Sequence, residues 1–295
     1  MILEKEPLLP RNSISGFVSR TLFSRSWPVI DSIAFALVGL LLVLSIVGPW
    51  LAPHDPYAVD PLIALEPPSA ANWLGTDDTG RDVLSRLLAG APLTILAAVS
   101  VVVGATVIGV LIASIAALSP RWLDDAIMRV TEIFLSLPSL VLALGVTAVL
   151  RPSLSSIIIA MVAALWPPTA RVTRNILRET MTSAYVESAR VIGVSRLRLM
   201  LRHALPNSLD AVYVLASMEI SGSIVMMSGL AFLGVGAPPP SADWGSMIAS
   251  GQEFITTAWW ISLFPGLAIT IAALAFGLVG DAIRRINDPA SRRTR

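Results

Sequence analysis

The chain has 295 residues, a formal net charge of +1 and few charged side chains. Hydrophobic residues make up 55% of it and charged residues only 14%, about half of the charged share of a soluble domain. The mean hydropathy is +0.75. So few charges cannot cover the surface of a soluble protein, and the composition also argues against disordered, coiled-coil, collagen-like and nucleic-acid-binding classes. We predict a multi-span membrane protein.

Several activities are excluded by residue types that are absent or rare. The chain has no cysteine, which excludes disulfides, iron–sulfur clusters and thiolate zinc sites. Its two histidines, His54 and His203, are too far apart for a helical metalloprotease motif, so we expect no metal site. Its one lysine, Lys5, precedes the apolar part of the chain, whereas a Walker A loop needs a lysine after its glycines. We therefore predict a chain that is not an enzyme and that draws energy from a partner or an ion gradient.

Six stretches contain the roughly 20 apolar residues that a helix needs to cross about 30 Å of hydrocarbon. In chain order, the predicted spans cover residues 33–51, 92–118, 127–150, 153–170, 209–233 and 258–280. Only two residues separate the third span from the fourth. The pair Pro167 and Pro168 is expected to end the fourth span, and Pro265 with Gly266 is expected to interrupt the sixth.

The distribution of positive charge predicts the orientation of these spans. With the N-terminus in the cytoplasm, 18 of the 21 lysines and arginines lie in cytoplasmic segments, and only Arg81, Arg86 and Arg151 lie outside. The positive-inside rule therefore places both termini in the cytoplasm. The predicted organisation is a tail over 1–31, a transmembrane domain over 32–281 with an outer loop over 52–91 and a cytoplasmic segment over 171–206, and a basic tail over 282–295. Because the first span has a long apolar core and no small-residue cleavage site, we expect a retained anchor in a plasma membrane.

The long outer loop leads into a predicted helix whose start is acidic, and negative charge is favourable at a helix N-terminus. The predicted apolar face of this helix consists of Val83, Leu84, Leu87 and Leu88. The opposite face is predicted to carry Arg81, Ser85 and Arg86. One interpretation is an interfacial helix that packs on the bundle. The other is an outer gate or a docking surface for another protein, formed by Asp77, Asp78, Arg81 and Asp82.

The cytoplasmic segment between the fourth and fifth spans predicts a short helix, a glycine break, a second, basic helix and a proline stop. Gly193 suits the left-handed conformation that ends a helix, and Ser195 is a candidate N-cap for the next helix. Pro206 lies where the fifth span begins, where its missing N–H costs little. One small-to-apolar stripe recurs at helical spacing: Tyr185, Ala189 and Ile192. Taken alone, Glu187 is a solvated carboxylate or the i+3 partner of Arg190.

This segment resembles the EAA loop of the permease subunits of bacterial binding-protein-dependent ABC transporters. The family pattern is Glu-Ala-Ala, three residues, Gly, nine residues, Ile, one residue and Leu-Pro. The residues at matching positions are Glu187, Ala189, Gly193, Leu205 and Pro206. Ser188 replaces the first alanine, and His203 replaces the isoleucine. A histidine at that position is typical of the dipeptide, oligopeptide and nickel branch of the family.

Three further stretches resemble the C-type subunit of the same branch. They cover residues 74–86, residues 232–245 and residues 264–289. All four stretches occur in the family's order and at the positions that the predicted topology gives them. The resemblance covers residues 30–290, which is all of the chain except its tails.

The resemblance implies an all-α integral membrane protein with the type I ABC importer permease fold, six transmembrane helices, cytoplasmic termini and a coupling helix between spans four and five. It implies that this helix docks on an ATPase subunit through Tyr185, Glu187, Ser188, Ala189 and Gly193. The implied partners are a second permease in a heterodimer, two ABC subunits that bind ATP and Mg²⁺, an extracytoplasmic solute-binding protein and membrane lipid. No cofactor in this chain and no nucleic acid are expected. The implied function is import of dipeptides or oligopeptides; import of nickel chelates or glutathione, or gradient-driven transport, are the alternatives.

Charged residues inside spans are candidates for function. Glu219 is the deepest, ten residues after the start of the fifth span. It is expected to line the translocation path or to make a polar contact with a neighbouring helix or subunit. Met218 and Met226 are candidates for an adaptable lining of the same path, with packing as the alternative.

Overall fold

The computed structural model describes residues 29–151 and 153–287. Most of the predicted N-terminal tail and the last eight residues, including Asp288 and Pro289, lie outside the described residues. Within them the regular structure is helical, apart from one isolated antiparallel bridge between Thr76 and Asp82.

The described part of the chain is built from α-helices joined by turns and loops, the longest of which lies between Leu51 and Val83. Helices α1 to α11 are Val29–Leu51, Val83–Ala91, Ala97–Leu118, Arg121–Ser136, Ser139–Val149, Leu154–Met181, Ala184–Val191, Arg196–Leu199, Leu205–Leu230, Trp244–Gly251 and Trp260–Asn287. Three π-helical turns extend these helices. Pro92–Leu96 joins α2 to α3, Met200–Ala204 joins α8 to α9, and Ala231–Val235 follows α9.

Five continuous helical segments are long and apolar enough to cross a membrane. They are Val29–Leu51, Val83–Leu118, Leu154–Met181, Arg196–Val235 and Trp260–Ile286. A sixth span is present only if α4 and α5, which meet at an angle of 94°, are taken as one. The all-helical, membrane-spanning class is confirmed, with five or six spans in the described residues.

The predicted third span, over 127–150, is not one continuous helix. Helix α4 ends at Ser136, and Leu137 is extended, with φ −89° and ψ 135°. Pro138 follows, and the ring of a proline sterically keeps the residue before it out of the helical region. The chain therefore bends sharply before α5 begins.

The other prolines do not end their helices. Pro167 and Pro168 lie inside α6, which continues to Met181, so the predicted end of the fourth span is wrong. Pro265 lies inside α11, so the predicted interruption of the sixth span is also wrong. Pro206 lies in the first turn of α9, and the helix continues through it rather than stopping. In membrane helices, neighbouring groups and local widening satisfy the carbonyls that prolines leave free.

The second span begins at Val83 rather than at Pro92, so the outer loop is shorter than predicted. Pro92 has no N–H to donate to the carbonyl of Leu88, and the π-helical turn that it starts keeps the helix continuous. The Leu88 carbonyl faces Gly48 of α1, where an added Cβ would lie 2.9 Å from that oxygen. Glycine at position 48 therefore lets α1 pack directly against the turn.

Two helix pairs make the most extensive contacts of the bundle: α3 with α6, and α9 with α11. At the first, a Cβ added to Gly109 would lie 2.8 Å from Cβ of Thr169, so the absence of a side chain sets the close approach. At the second, the hydroxyl of Ser221 donates to the carbonyl of Ala273 over 2.7 Å. These two pairs form the frame on which the loops and short helices are held.

An ion pair joins the two ends of the described chain. Asp31, in the first turn of α1, is buried. Its carboxylate accepts a hydrogen bond from the guanidinium of Arg285, in the last turn of α11. Because a buried carboxylate is strongly destabilising without a cation, this pair holds α1 against α11.

Candidate functional site

The predicted coupling helix is α7, a two-turn helix anchored along one face. Val186 is fully buried and packs in a cluster that includes Leu177 of α6 and Met200 after α8. Burial of such a side chain contributes about 1.5–3 kcal/mol. The sequence analysis missed Val186, although it lies three residues before the half-buried Ala189 and thus on the same helix face.

Gly193 ends this helix in the left-handed conformation, as predicted, with φ +89°. The N–H of Gly193 donates to the carbonyl of Arg190 over 3.0 Å, and the N–H of Val194 donates to that of Ala189 over 3.1 Å. This pair of bonds is a Schellman motif. A Cβ at position 193 would meet nothing within 4 Å, so the backbone conformation and not the space requires glycine.

The other face of α7 points away from the bundle. Its exposed side chains include Tyr185, Glu187, Ser188, Val191 and Ile192. The last two, which we call the α7 tip, are 87% and 81% exposed. Adjacent exposed β-branched side chains next to a carboxylate are typical of a surface that contacts another protein.

The structure divides the predicted apolar stripe. Ala189 is half-buried, Ile192 is exposed, and the exposed ring of Tyr185 lies against His203, with ring centroids 6.2 Å apart. Ser195 takes the predicted N-cap position of α8, with no capping bond from its side chain. Within the described residues Glu187 has no ion pair, so the alternative of a pair with Arg190 is not formed and the carboxylate is left exposed.

A buried ion-pair cluster lies behind α7, and the sequence analysis missed it. Asp124 of α4 is fully buried and accepts a hydrogen bond from Nε of Arg174 over 3.0 Å. The same carboxylate also pairs with Arg178, one turn further along α6. The cluster fixes α4 to the end of α6 from which α7 departs. The only signal in the sequence was the i, i+4 spacing of the two arginines, because the aspartate lies 50 residues away.

The predicted path residues do not share one surface of α9. Glu219, Ser223 and Met226 follow at i, i+4 and i+7, so they lie on one face. Oε2 of Glu219 and Oγ of Ser223 are buried, and neither has a hydrogen-bond partner within the described residues. Met218 faces α11 instead, because a Cβ added to Gly280 would lie 3.1 Å from its Cγ. The structure therefore groups Glu219 with Met226 and separates Met218 from them.

Asp77 is buried in the loop between α1 and α2, where its carboxylate accepts several hydrogen bonds from other residues of the loop. Its Oδ1 accepts hydrogen bonds from the backbone N–H of Thr79 over 2.9 Å and from that of Arg81 over 3.0 Å. Its Oδ2 accepts from Nε of Arg81 over 2.7 Å and lies 3.4 Å from Nε of Arg86. This network closes the turn that leads into α2.

Asp82 is also buried, as the N-cap of α2. Its carboxylate accepts from the N–H of Ser85 over 2.8 Å and from the side-chain amide of Asn72 over 3.0 Å. Asp78 is more exposed and lies 3.7 Å from the guanidinium of Arg81. Of the three predicted outer acids, Asp78 is therefore the one whose carboxylate remains near the surface.

The predicted division of α2 into a packed apolar face and an opposite polar face holds only in part, since Val83 is fully buried but so are polar residues of the opposite face. Arg86 and Ser85 are buried, whereas Leu84 and Leu87 are only partly buried. The guanidinium of Arg86 donates to the carbonyl of Ser241 over 3.1 Å and to that of Pro56 over 3.3 Å. These two carbonyls and the Asp77 carboxylate compensate for the desolvation of the Arg86 guanidinium. A charged side chain can therefore be buried here, and the positions of the polar residues in the sequence did not show which face of α2 is exposed.

The sequence matches two known protein families. Residues 105–293 match the family described as "Binding-protein-dependent transport system inner membrane component". The match covers more than half of the chain. The chain belongs to this family. Residues 32–68 also match the "N-terminal TM domain of oligopeptide transport permease C". As a member of this permease family, the chain is a multi-pass inner-membrane protein, and the predicted family is confirmed.

Curated relatives share this family over most of their length. The chain is 42% identical over 253 residues to the probable D,D-dipeptide transport system permease protein DdpC of Escherichia coli (strain K12), covering 86% of this chain and 85% of the relative. It is 40% identical over 265 residues to the di/tripeptide transport system permease protein DppC of Pseudomonas aeruginosa (strain UCBPP-PA14), covering 86% and 88%. It is 39% identical over 287 residues to the dipeptide transport system permease protein DppC of Escherichia coli (strain K12), covering 94% and 96%.

A solved structure has the same fold at low sequence identity. It is the MetNI methionine ABC transporter in inward-facing conformations, one chain of which aligns with a TM-score of 0.57 and 17% identity. The alignment covers 68% of this chain and 96% of the MetNI chain. This similarity supports the type I ABC importer permease fold.

Proposed function

We propose that this chain is the permease subunit of an ATP-driven importer of short peptides. It forms half of a translocation path with a second permease, and α7 couples the motion of two ATPase subunits to alternating access. ATP and Mg²⁺ are bound by those subunits, and an extracytoplasmic binding protein delivers the peptide. The substrate class is taken from the relatives named for dipeptide or di/tripeptide transport.

The observation that carries the coupling role is the construction of α7. Val186 fixes one face to the bundle and Gly193 fixes the end of the helix, while the α7 tip points outward and the side chain of Glu187 is exposed. A helix that is rigidly held on one face and exposed on the other can transmit force from a subunit that docks on the exposed face. The buried carboxylate of Asp124 supports this by fixing the end of α6.

The docking role is tested by making the α7 tip polar. We expect Val191→Asp with Ile192→Asp to abolish copurification of the ATPase subunits, because two charges would enter an apolar contact. The matched control is Leu197→Asp with Leu201→Asp, which changes two apolar residues that are each 55% exposed. Retention of the ATPase subunits by the tip variant, or their loss in both variants, would contradict docking through α7.

The proposed orientation places α7 in the cytoplasm and the loop between α1 and α2 outside. Because the chain has no cysteine, Leu62→Cys and Val191→Cys each introduce a unique thiol, at sites that are 91% and 87% exposed. In intact cells, a membrane-impermeant maleimide should label the first variant and spare the second. Labelling of both from one side would overturn the topology.

We assign the path to the face of α9 that carries Glu219, Ser223 and Met226. A peptide, or a polar group of the second permease, would supply the hydrogen bonds that Glu219 and Ser223 lack. On the outside, Asp78 is the surface carboxylate proposed to contact the binding protein. The substrate class is tested in proteoliposomes of the complete complex: dipeptides should stimulate ATP hydrolysis, whereas stimulation only by a nickel chelate or by glutathione would overturn it.

A further inference from the structure

A positively charged cavity lies between α7 and the ends of two membrane-spanning helices. Its volume is about 540 Å³. Its charged lining consists of Arg178 at the end of α6, Glu187 and Arg190 of α7, and Arg196 at the start of α8. Ala117, near the end of α3, completes the opposite wall.

Each of the three arginines is held in place by one group of the protein. Nη2 of Arg196 donates to the carbonyl of Ala117 over 3.1 Å, and Nη2 of Arg190 donates to the carbonyl of Met181 over 3.4 Å. Arg178 pairs with Asp124. A guanidinium has five N–H donors, so three pre-positioned guanidiniums leave most of their donors available to a ligand.

Charge in this cavity is not balanced by the protein. Glu187 is the one carboxylate among the lining residues, and within the described part of the chain it forms no ion pair. Asp124 does not neutralise Arg178 fully, because it is shared with Arg174. An oxyanion is the ligand that fits, since guanidiniums bind carboxylate and phosphate oxygens most strongly.

The position of the cavity distinguishes a lipid phosphate from other oxyanions. Along α3, Leu111 and Ile115 are more than half exposed, as expected of side chains that face hydrocarbon. That apolar surface ends at Leu118, beside the cavity wall at Ala117. The cavity therefore lies where hydrocarbon gives way to headgroups, and basic pockets at that depth between helices bind anionic lipids.

We propose that this cavity binds the phosphate group of an anionic phospholipid, such as phosphatidylglycerol. One headgroup then bridges Arg190 of α7 to Arg178 of α6 and Arg196 of α8. The lipid stiffens the attachment of α7 on the side that faces the membrane. The inference rests on the chain spanning a membrane and not on the solute that it transports.

The experiment compares two charge-matched double variants in the full chain, purified with its copurifying partners. Arg190→Gln with Arg196→Gln removes two lining residues. Arg198→Gln with Arg202→Gln removes two exposed arginines of the same segment that do not line the cavity. Retention of phosphatidylglycerol and of phosphatidylcholine is titrated by native mass spectrometry, and folding is checked by the thermal midpoint. If the first variant unfolds, Arg190→Lys and Arg196→Lys are used, which keep the charge but lose the fork-shaped donors.

We expect the cavity variant to weaken phosphatidylglycerol binding about 25-fold, from about fivefold for each arginine, and the control to change it by less than about fivefold. Phosphatidylcholine should bind weakly to all variants. Equal losses in both variants, or equal retention of the two lipids, would overturn the site. Displacement of phosphatidylglycerol by millimolar inorganic phosphate would assign the cavity to a free anion instead. Loss of the ATPase subunits with unchanged lipid binding would assign the cavity to an acidic side chain of a partner. The lipid-binding result does not depend on the docking test at the α7 tip, so failure of that test leaves the cavity proposal standing.

Discussion

Replacing Gly193 with valine tests whether the backbone turn at the end of α7 is needed for coupling. With φ at +89° and no atom within 4 Å of an added Cβ, the penalty comes from the left-handed conformation and not from a clash. That penalty is about 1–2 kcal/mol for an L-residue and is larger for a β-branched one. It lowers the population of the Schellman turn about 5- to 30-fold relative to alternative turns. Gly193→Asn should lose much less, because asparagine tolerates this conformation.

The assay is the number of ATP molecules hydrolysed per solute imported in proteoliposomes of the complete complex. Gly193→Val should raise this number severalfold while the protein still inserts, since α7 no longer presents a fixed surface. Gly39→Ala in α1 is the control, because it adds a Cβ in a helix where nothing lies within 4 Å and φ is ordinary. Normal coupling in Gly193→Val would refute the reasoning, as would an asparagine variant that is as defective as valine.

Three further predictions concern the packing and the buried polar groups. Gly90→Ala should destabilise the protein by about 3 kcal/mol and lower its thermal midpoint, because the added Cβ would lie 2.0 Å from the carbonyl oxygen of Ala242. The control is Gly39→Ala, whose Cβ would meet nothing within 4 Å and which should leave the thermal midpoint unchanged. Asp124→Asn should cost about 3 kcal/mol by leaving two arginines without their carboxylate, and an unchanged denaturation midpoint would contradict the cluster's role. Glu219→Gln should insert normally and be at least as stable as the parent in the thermal midpoint, because the substitution removes the charge of a carboxylate that has a buried oxygen without a partner. It should nevertheless alter uptake, and unchanged kinetics would return Glu219 to a packing role.

The parts of the site that the sequence predicted depend on local conformation. The left-handed turn at Gly193 could be predicted because the glycine directly follows a short predicted helix and precedes a positively charged one, so the whole signal lies within a few residues. The break at Leu137 was equally local, since the effect of Pro138 on the preceding residue is a general one, but the apolar run on both sides masked it.

The parts that the sequence did not predict depend on contacts between distant residues. Asp124 and Arg174 are 50 positions apart, and Arg86 meets a carbonyl 155 positions away. Nothing local distinguishes a buried, compensated Arg86 from one that faces water, so the amphipathic pattern of α2 did not predict that its polar face is buried too. In a membrane protein, polarity alone does not separate a solvent-facing side chain from one satisfied inside the bundle.

The pairing of Asp31 with Arg285 has a consequence for biogenesis. The aspartate is synthesised 254 residues before its arginine. Until α11 leaves the translocon, Arg285 is not available to neutralise Asp31 of α1, which lies near one face of the membrane. Docking of the N-terminal helix is therefore among the final steps of assembly, and a nascent chain truncated before Arg285 should leave it accessible to chaperones or proteases.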